Sequence, residues 1–158
     1  GVELSKSGKI KAINILRKHR LWETFLVNKL DFGWQEVHDV AEQLEHIKSE
    51  ELVDKLDAFL NYPNFDPHGE PIPNREGKIP SRNTISLNKL NKGEKGNVMG
   101  VTIDEKLFLD YLTKLNISIG TEVELLETIS FDKSLSIKVS KQTQHISYDV
   151  AKHILIKI

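Results

Sequence analysis

Four of the chain's five prolines stand in one stretch, residues 61–74, which reads Asn-Tyr-Pro-Asn-Phe-Asp-Pro-His-Gly-Glu-Pro-Ile-Pro-Asn. Proline fixes φ and lacks a backbone donor, so four of them with Gly69 exclude regular structure and favour a stiff, defined loop. The apolar pattern differs on its two sides. Before the loop, apolar residues recur at helical spacing; after Asn83 they alternate with polar ones. An α+β chain is expected, with residues 1–74 helical, 75–83 a polar linker and 84–158 a small half-open β-barrel carrying one helix.

Three helices are expected ahead of the loop. Ser5-Lys6-Ser7-Gly8 leads into a long one, with Ile10, Ile13, Leu16, Leu21, Phe25 and Leu26 in register up to Leu30. Asp31-Phe32-Gly33 breaks it. A second helix is expected from about Trp34 to Ile47. Ser49 is a good N-cap for a third, with Glu50 and Glu51 at the positive end of its dipole. There Leu52, Leu56, Phe59 and Leu60 form an apolar face to be covered by the other helices or by a second subunit. Beyond the linker, strands are expected around residues 85–87, 96–101, 121–126, 135–139 and 154–158. Helices are expected over 104–115 and 148–152.

The second helix carries the densest chemistry. His38, Glu42, Glu45 and His46 stand at i, i+4, i+7 and i+8, on one stripe of a regular helix. Two imidazoles and two carboxylates together call for a cation, and a divalent metal is the obvious candidate. His19 and Glu23 are a further i, i+4 pair, and Asp66 and His68 offer two more ligand groups in the proline loop. Trp22 and Trp34 read as core residues.

Composition narrows the alternatives. A chain of 158 residues with 39% hydrophobic and 28% charged residues is that of a folded globular protein. The net charge of −1 leaves no basic excess for gripping nucleic acid. With no cysteine, disulfides, Fe–S clusters and thiolate zinc sites are excluded, and any metal is held by N and O ligands. No apolar run reaches transmembrane length and no signal-peptide pattern opens the chain, so a cytoplasmic protein is expected.

Four stretches in order, His19-Arg20-Leu21-Trp22-Glu23, Glu36-Val37-His38-Asp39, Leu44-Glu45-His46 and Asp66-Pro67-His68-Gly69-Glu70-Pro71-Ile72-Pro73, resemble the metal-binding and dimerisation domain of the diphtheria toxin repressor family. Residues 87–158, with Gly93-Glu94-Lys95-Gly96 and Ile119-Gly120-Thr121-Glu122-Val123-Glu124, resemble the family's SH3-like (FeoA-like) domain. These proteins are iron- or manganese-dependent transcriptional repressors that begin with a winged helix-turn-helix domain. Gly1-Val2-Glu3-Leu4 looks like the strand leaving that wing, so the chain is expected to be a family member cut after its DNA-binding domain.

The resemblance implies a homodimer through Leu52, Leu56, Phe59 and Leu60, with operator DNA contacted only by the absent domain. It implies a primary metal site at Glu42, Glu45 and His46, incomplete without ligands from that domain. It also implies an ancillary site at His19, Glu23 and His38, with Asp104 or Glu105 from the SH3-like part. An alternative second site would use Glu23, Asp66, His68 and Asp104. Glutamate at position 42, where iron-sensing members have cysteine, resembles the manganese-sensing members. The implied ion is Mn(II) or Fe(II), manganese first, and no reaction is catalysed. Against this stand plainer readings. His19 and Glu23 alone would be a surface pair worth about 0.2–0.5 kcal/mol. Asp66 and His68 would only shape a turn. The chain would be a metallohydrolase, or a protein-binding module independent of metal.

Overall fold

Ser5 opens the first helix, α1 (Lys6–Leu30), and its hydroxyl accepts the Gly8 N–H at 3.1 Å. The computed structural model describes residues 5–158; the reading of Gly1-Val2-Glu3-Leu4 as a wing strand lies outside them. Helix α1 ends at Leu30, as its spacing predicts, where Asp31 turns left-handed at φ 56°. The next helix, α2 (His38–Leu44), is shorter than its sequence pattern, because residues 34–36 form a turn and Glu45 is its C-cap. The Ser49 hydroxyl caps α3 (Glu50–Phe59) by accepting the Leu52 N–H at 3.2 Å. After α3, Asn61 and Tyr62 are both left-handed, and Pro63 then prevents the helix from resuming.

The chain divides into two compact units, Gly1–Arg82 and Asn83–Ile158. In the first, α1 packs on α2 through Leu26, Val37 and Ala41, and on α3 through Leu21, Val53 and Leu56. Ile72 of the proline loop closes the second cluster. Burying each large side chain contributes roughly 1.5–3 kcal/mol. Leu56, only 7% exposed, is thus part of this unit's own core and not of a face left for a partner. Leu52 and Phe59 are exposed and Leu60 is half-buried. Beneath α3, the buried Arg17 donates to Asp57 at 2.8 Å and Asp54 at 3.2 Å.

The second unit is one antiparallel six-stranded sheet in the order β1-β6-β2-β3-β4-β5. Its strands are β1 (Ile85–Ser86), β2 (Lys95–Val101), β3 (Glu122–Thr128), β4 (Leu135–Val139), β5 (Gln142–Ile146) and β6 (Ile154–Lys157). Helices α4 (Lys106–Lys114) and α5 (Tyr148–Lys152) complete it. Its core contains Leu109 and Leu112 of α4 together with Val98, Val123, Leu125, Ile137 and Ile156 of the sheet. Gly96 lets β2 and β6 approach closely, since a Cβ there would stand 2.2 Å from Ile156 Cγ2. Strand β5 has no counterpart in the sequence reading. Gln-Thr-Gln-His lacks an apolar alternation because β5 is an edge strand, anchored only by Ile146. Helix α4 begins two residues later than expected, with Glu105 and not Asp104 at the N-cap position.

Candidate metal centre

Glu23 lies on the face of α1 that turns toward α2 and the proline loop, and it is 1% exposed. Helix geometry sets His19 one turn before it, with Nε2 3.0 Å from Glu23 Oε1. His38, the first residue of α2, brings Nδ1 to 3.6 Å from the same oxygen. From the other side, His68 Nδ1 stands 3.5 Å from Oε2. A single buried carboxylate is therefore ringed by three imidazoles.

The loop that delivers His68 is built by Asp66. Its Oδ1 accepts the backbone N–H groups of His68 at 2.8 Å and Glu70 at 2.9 Å. Gly69, at φ 79°, takes the left-handed position that this tight turn needs. Arginines fasten the loop to α1. Arg20 donates to the Pro71 carbonyl at 2.5 Å and to Glu70 at 2.9 Å, and its Nε lies 3.7 Å from Asp66 Oδ2. Arg82 donates to the Gly69 carbonyl.

Trp34 fixes the ring of His68. Its carbonyl accepts from Nε2 at 2.6 Å, and its indole stacks on the imidazole at 6.1 Å between centroids. With Nε2 committed as donor, a neutral His68 carries its lone pair on Nδ1, the atom that faces Glu23. This is the usual way an outer residue presents a histidine to a metal.

The electrostatics describe a pocket that gathers positive charge. Burial works against ionising Glu23, but hydrogen bonds from His19 and His68 outweigh it and hold its carboxyl down at about 2. Burial also opposes charging His68, yet Glu23 pushes it up to about 9. His19 is likewise raised, because the carboxylates of Glu23 and Glu45 overcome its desolvation. Asp66 is pushed up to about 7 by burial and by the nearby charge of Glu23. Protons here occupy the electrostatic role that a cation would fill.

The residues expected to act as ligands are only partly gathered. His19, Glu23 and His38 bring donor atoms within 4.8 Å of one another, and Glu23, Asp66 and His68 do the same. Ligands each roughly 2.0–2.2 Å from one ion stand no more than about 4.4 Å apart, so donors gathered within 4.8 Å need only a small inward shift to share one. Asp66 is thus engaged both in shaping the turn and in facing the pocket. Of the α2 stripe, Glu45 turns inward to meet His19, with Oε2 2.7 Å from Nδ1. Glu42 is exposed, and His46, past the end of the helix, keeps 74% of its side chain in solvent. Glu42 and Glu45 line one groove of about 450 Å³ with His19, His38 and Leu16. Asp104 and Glu105 belong to the second unit and are exposed there.

The clamp by Arg20, the Trp34 carbonyl and the His19–Glu45 contact have no signature in the sequence, because each joins residues far apart in the chain. Trp34 is half-buried against His68 and lies outside both core clusters of its unit. In the second unit, His153 pairs with Thr102, Nδ1 to Oγ1 at 2.5 Å, while His145 is exposed on β5.

Comparison with known proteins assigns both units to known domain families. Residues 5–74 match the iron dependent repressor metal binding and dimerisation domain, and residues 85–158 match the FeoA domain. The iron-dependent repressor IdeR of Mycobacterium tuberculosis is 35% identical over 106 residues, which are 65% of this chain and 46% of that protein. A probable metal transport system membrane protein of Chlamydia trachomatis is 44% identical over 75 residues, 48% of this chain. The chain spans only 17% of that protein's length. The solved structure of a manganese-dependent transcriptional repressor in complex with manganese superposes with a TM-score of 0.88. It is 34% identical, and the match covers 99% of this chain and 74% of that one. With both halves matched in order and one relative of known structure aligned along nearly the whole chain, the protein belongs to the diphtheria toxin repressor family.

Proposed function

We propose that this chain is the metal-sensing and dimerising portion of a Mn(II)- or Fe(II)-dependent transcriptional repressor of metal homeostasis genes. The observation that carries the reading is the surround of Glu23: a buried carboxylate between His19, His38 and His68, with Asp66 close enough to share a cation with it. The donor set fits a divalent first-row ion. Imidazole and carboxylate, with no thiolate, suit manganese or iron better than softer ions. Glu42, Glu45 and His46 form a second, more open group that serves as the effector site once further ligands join it. Bound ion favours whichever conformation holds it better, and that preference is the coupling to DNA binding. The chain associates as a homodimer, which the exposed Leu52 and Phe59 of α3 serve, and operator DNA is met only through a separate winged helix-turn-helix domain.

The test is calorimetric titration of Mn(II) into the 158-residue chain, with Glu23→Ala and His38→Ala as controls. Binding that Glu23→Ala removes and His38→Ala weakens supports the reading; heats identical in all three proteins refute it.

A second reading is favoured by the chlamydial match. The same metal-sensing unit would be carried by a metal transport membrane protein and would respond to the ion being moved. Among the described residues, no helix is long and apolar enough to cross a membrane. Mobility-shift assays with the full-length protein, with and without Mn(II), separate the two: a metal-dependent shift of its own upstream DNA belongs to the repressor alone.

A further inference from the structure

Two arginines from distant parts of the chain meet on Glu70. Its Oε2 accepts from Arg20 of α1 at 2.9 Å, and its Oε1 lies 3.5 Å from Arg82 Nη2. Arg82 also donates to the carbonyl of the buried Gly69. Both acceptors belong to the turn that presents Asp66 and His68. Two hydrogen bonds of 2.9 Å close that turn, Asp66 N–H to the Glu70 carbonyl and Glu70 N–H to Asp66 Oδ1. Arg82 itself ends a stretch, residues 74–82, most of which composition alone reads as a polar linker. The stretch is nevertheless fastened to the first unit along its length. The Asn74 N–H donates to the Lys78 carbonyl at 3.0 Å, and Asn74 Oδ1 accepts the Lys78 N–H at 2.8 Å. Gly77, left-handed at φ 78°, rests near Ile13 of α1, whose Cγ2 would stand 3.4 Å from a Cβ there. Arg75 reaches Asp54 of α3 at 3.3 Å. We infer that Arg82 and Glu70 are positioning residues for the metal centre: through them residues 74–82 form a strap that braces the ligand-bearing turn, so that ion binding and strap docking reinforce each other. The inference rests on the metal-binding reading above and adds the residues that hold the turn in place.

The turn needs a brace because one of its ligands is also one of its fasteners. Asp66 Oδ1 is spent on the N–H groups of His68 and Glu70, which leaves Oδ2 for an ion. Opening of the turn therefore removes two ligand groups at once, Asp66 directly and His68 through its backbone. Pro67 and Pro71 stiffen the turn internally but do not anchor it. Attachment to the rest of the unit comes from Ile72 in the core, from Arg20 on one side and from Arg82 on the other. A guanidinium suits the last position better than an ammonium, because its fork reaches a carbonyl and a carboxylate together. As an isolated pair, Arg82 and Glu70 would contribute little, since both side chains are partly in solvent. Their leverage comes from sitting on the turn. An ion held by Asp66 and His68 fixes the turn in the shape that Arg82 grips. By linkage, the factor by which the docked strap raises ion affinity equals the factor by which the ion favours docking.

The experiment uses the 158-residue chain carrying Glu42→Gln and His46→Gln, which silence the exposed group on α2. Mn(II) affinity is measured by calorimetry. Amide hydrogen exchange across residues 74–82 is followed by mass spectrometry, with and without saturating Mn(II). In this parent, bound Mn(II) slows exchange at Gly77 and Lys78 by at least about fivefold. Arg82→Met weakens Mn(II) binding by about tenfold or more and leaves exchange in the strap fast whether or not the ion is bound. Exchange in α1 still slows with Mn(II), which shows that the variant is folded and loaded. Glu70→Gln carries the same two readouts from the other side of the contact, should Arg82→Met fold poorly. Equal Mn(II) affinity in the parent and both variants, or a parent strap whose exchange ignores bound Mn(II), overturns the brace and leaves the metal-binding reading standing. No Mn(II) binding by the parent overturns both.

Discussion

His19 and Glu45 meet across the α1–α2 boundary, Nδ1 to Oε2 at 2.7 Å, while the other ring nitrogen of His19 faces Glu23. The imidazole thus ties the open carboxylates of α2 to the buried pocket. Residues that orient a ligand typically change metal affinity by about 10–100-fold when removed. Glu45→Ala is expected to weaken Mn(II) binding at the Glu23 pocket by at least about tenfold, even in a protein whose Glu42 and His46 are already replaced. Calorimetry in that background checks it.

Metal affinity is expected to rise with pH. His68 must lose a proton held up to about 9, and Asp66 one held near about 7, before either binds an ion, whereas Glu23, at about 2, is already ionised. Mn(II) binding should release protons between pH 6.5 and 9, measured by calorimetry in buffers of different ionisation enthalpy. The metal-free fold behaves in the opposite way. The stabilisation from His68 is complete below 6.5 and is lost as pH rises through about 9. That from Asp66 is complete below 3.8 and lost through about 7. Glu23 contributes above 4.5 and loses its contribution as pH falls toward about 2. Thermal melts of the metal-free chain should therefore weaken from pH 6 to 9.

Arg17 is the support of α3. Removing one partner of a buried ion pair costs about 3–5 kcal/mol, and Arg17 serves both Asp54 and Asp57. Arg17→Met is expected to destabilise the first unit by roughly that amount in urea denaturation. Arg17→Met with Asp57→Leu should recover part of the loss, because no unpaired buried carboxylate then remains at position 57.

The helices and most strands were legible because their apolar periodicity survives in the fold: Leu21 and Leu26 on α1, and Leu135, Ile137 and Val139 on β4, are all buried. Ser49 signalled its helix by a side-chain cap that forms as expected. The extent of α2 was overread because a stripe of His and Glu at helical spacing continues past Leu44, where the backbone has already begun to turn. At the site, His19 and Glu23 were legible as neighbours on one helix. What was not legible is the way the loop docks: Asp66 spends one oxygen on its own backbone, and Arg20 fastens Glu70 and Pro71 to α1 from about fifty residues away in the chain. His19 also touches both groups that the sequence keeps apart, with its ring 4.9 Å from that of His38 and its Nδ1 2.7 Å from Glu45 Oε2.

In the second unit, Gly96→Ala places a methyl group against Ile156 and the Lys157 carbonyl, 2.8 Å away. Overpacking of this kind costs about 1–3 kcal/mol, because β2 and β6 must separate to admit it. A lowered urea midpoint for this variant, with Mn(II) binding at the Glu23 pocket unchanged, is the expected result.

Phe59 is 59% exposed, with Lys29 5.3 Å above its ring and Phe25 behind it at 6.2 Å. A charge at this position should oppose association while leaving the core intact. Phe59→Glu is expected to shift the chain from dimer to monomer in sedimentation velocity at micromolar concentration, with an unchanged circular dichroism spectrum.

The β-sheet ends in two unlike margins: β1 is only two residues long, and β5 is built from Gln, Thr, Gln and His before it reaches Ile146. An open row of backbone groups invites another chain to add a strand, and short or polar margins discourage it. Neither margin offers the long apolar template that runaway stacking requires. When this protein accumulates or partly unfolds, its sheet should resist fibril growth, and whatever self-association it does undergo is left to side chains on its surface.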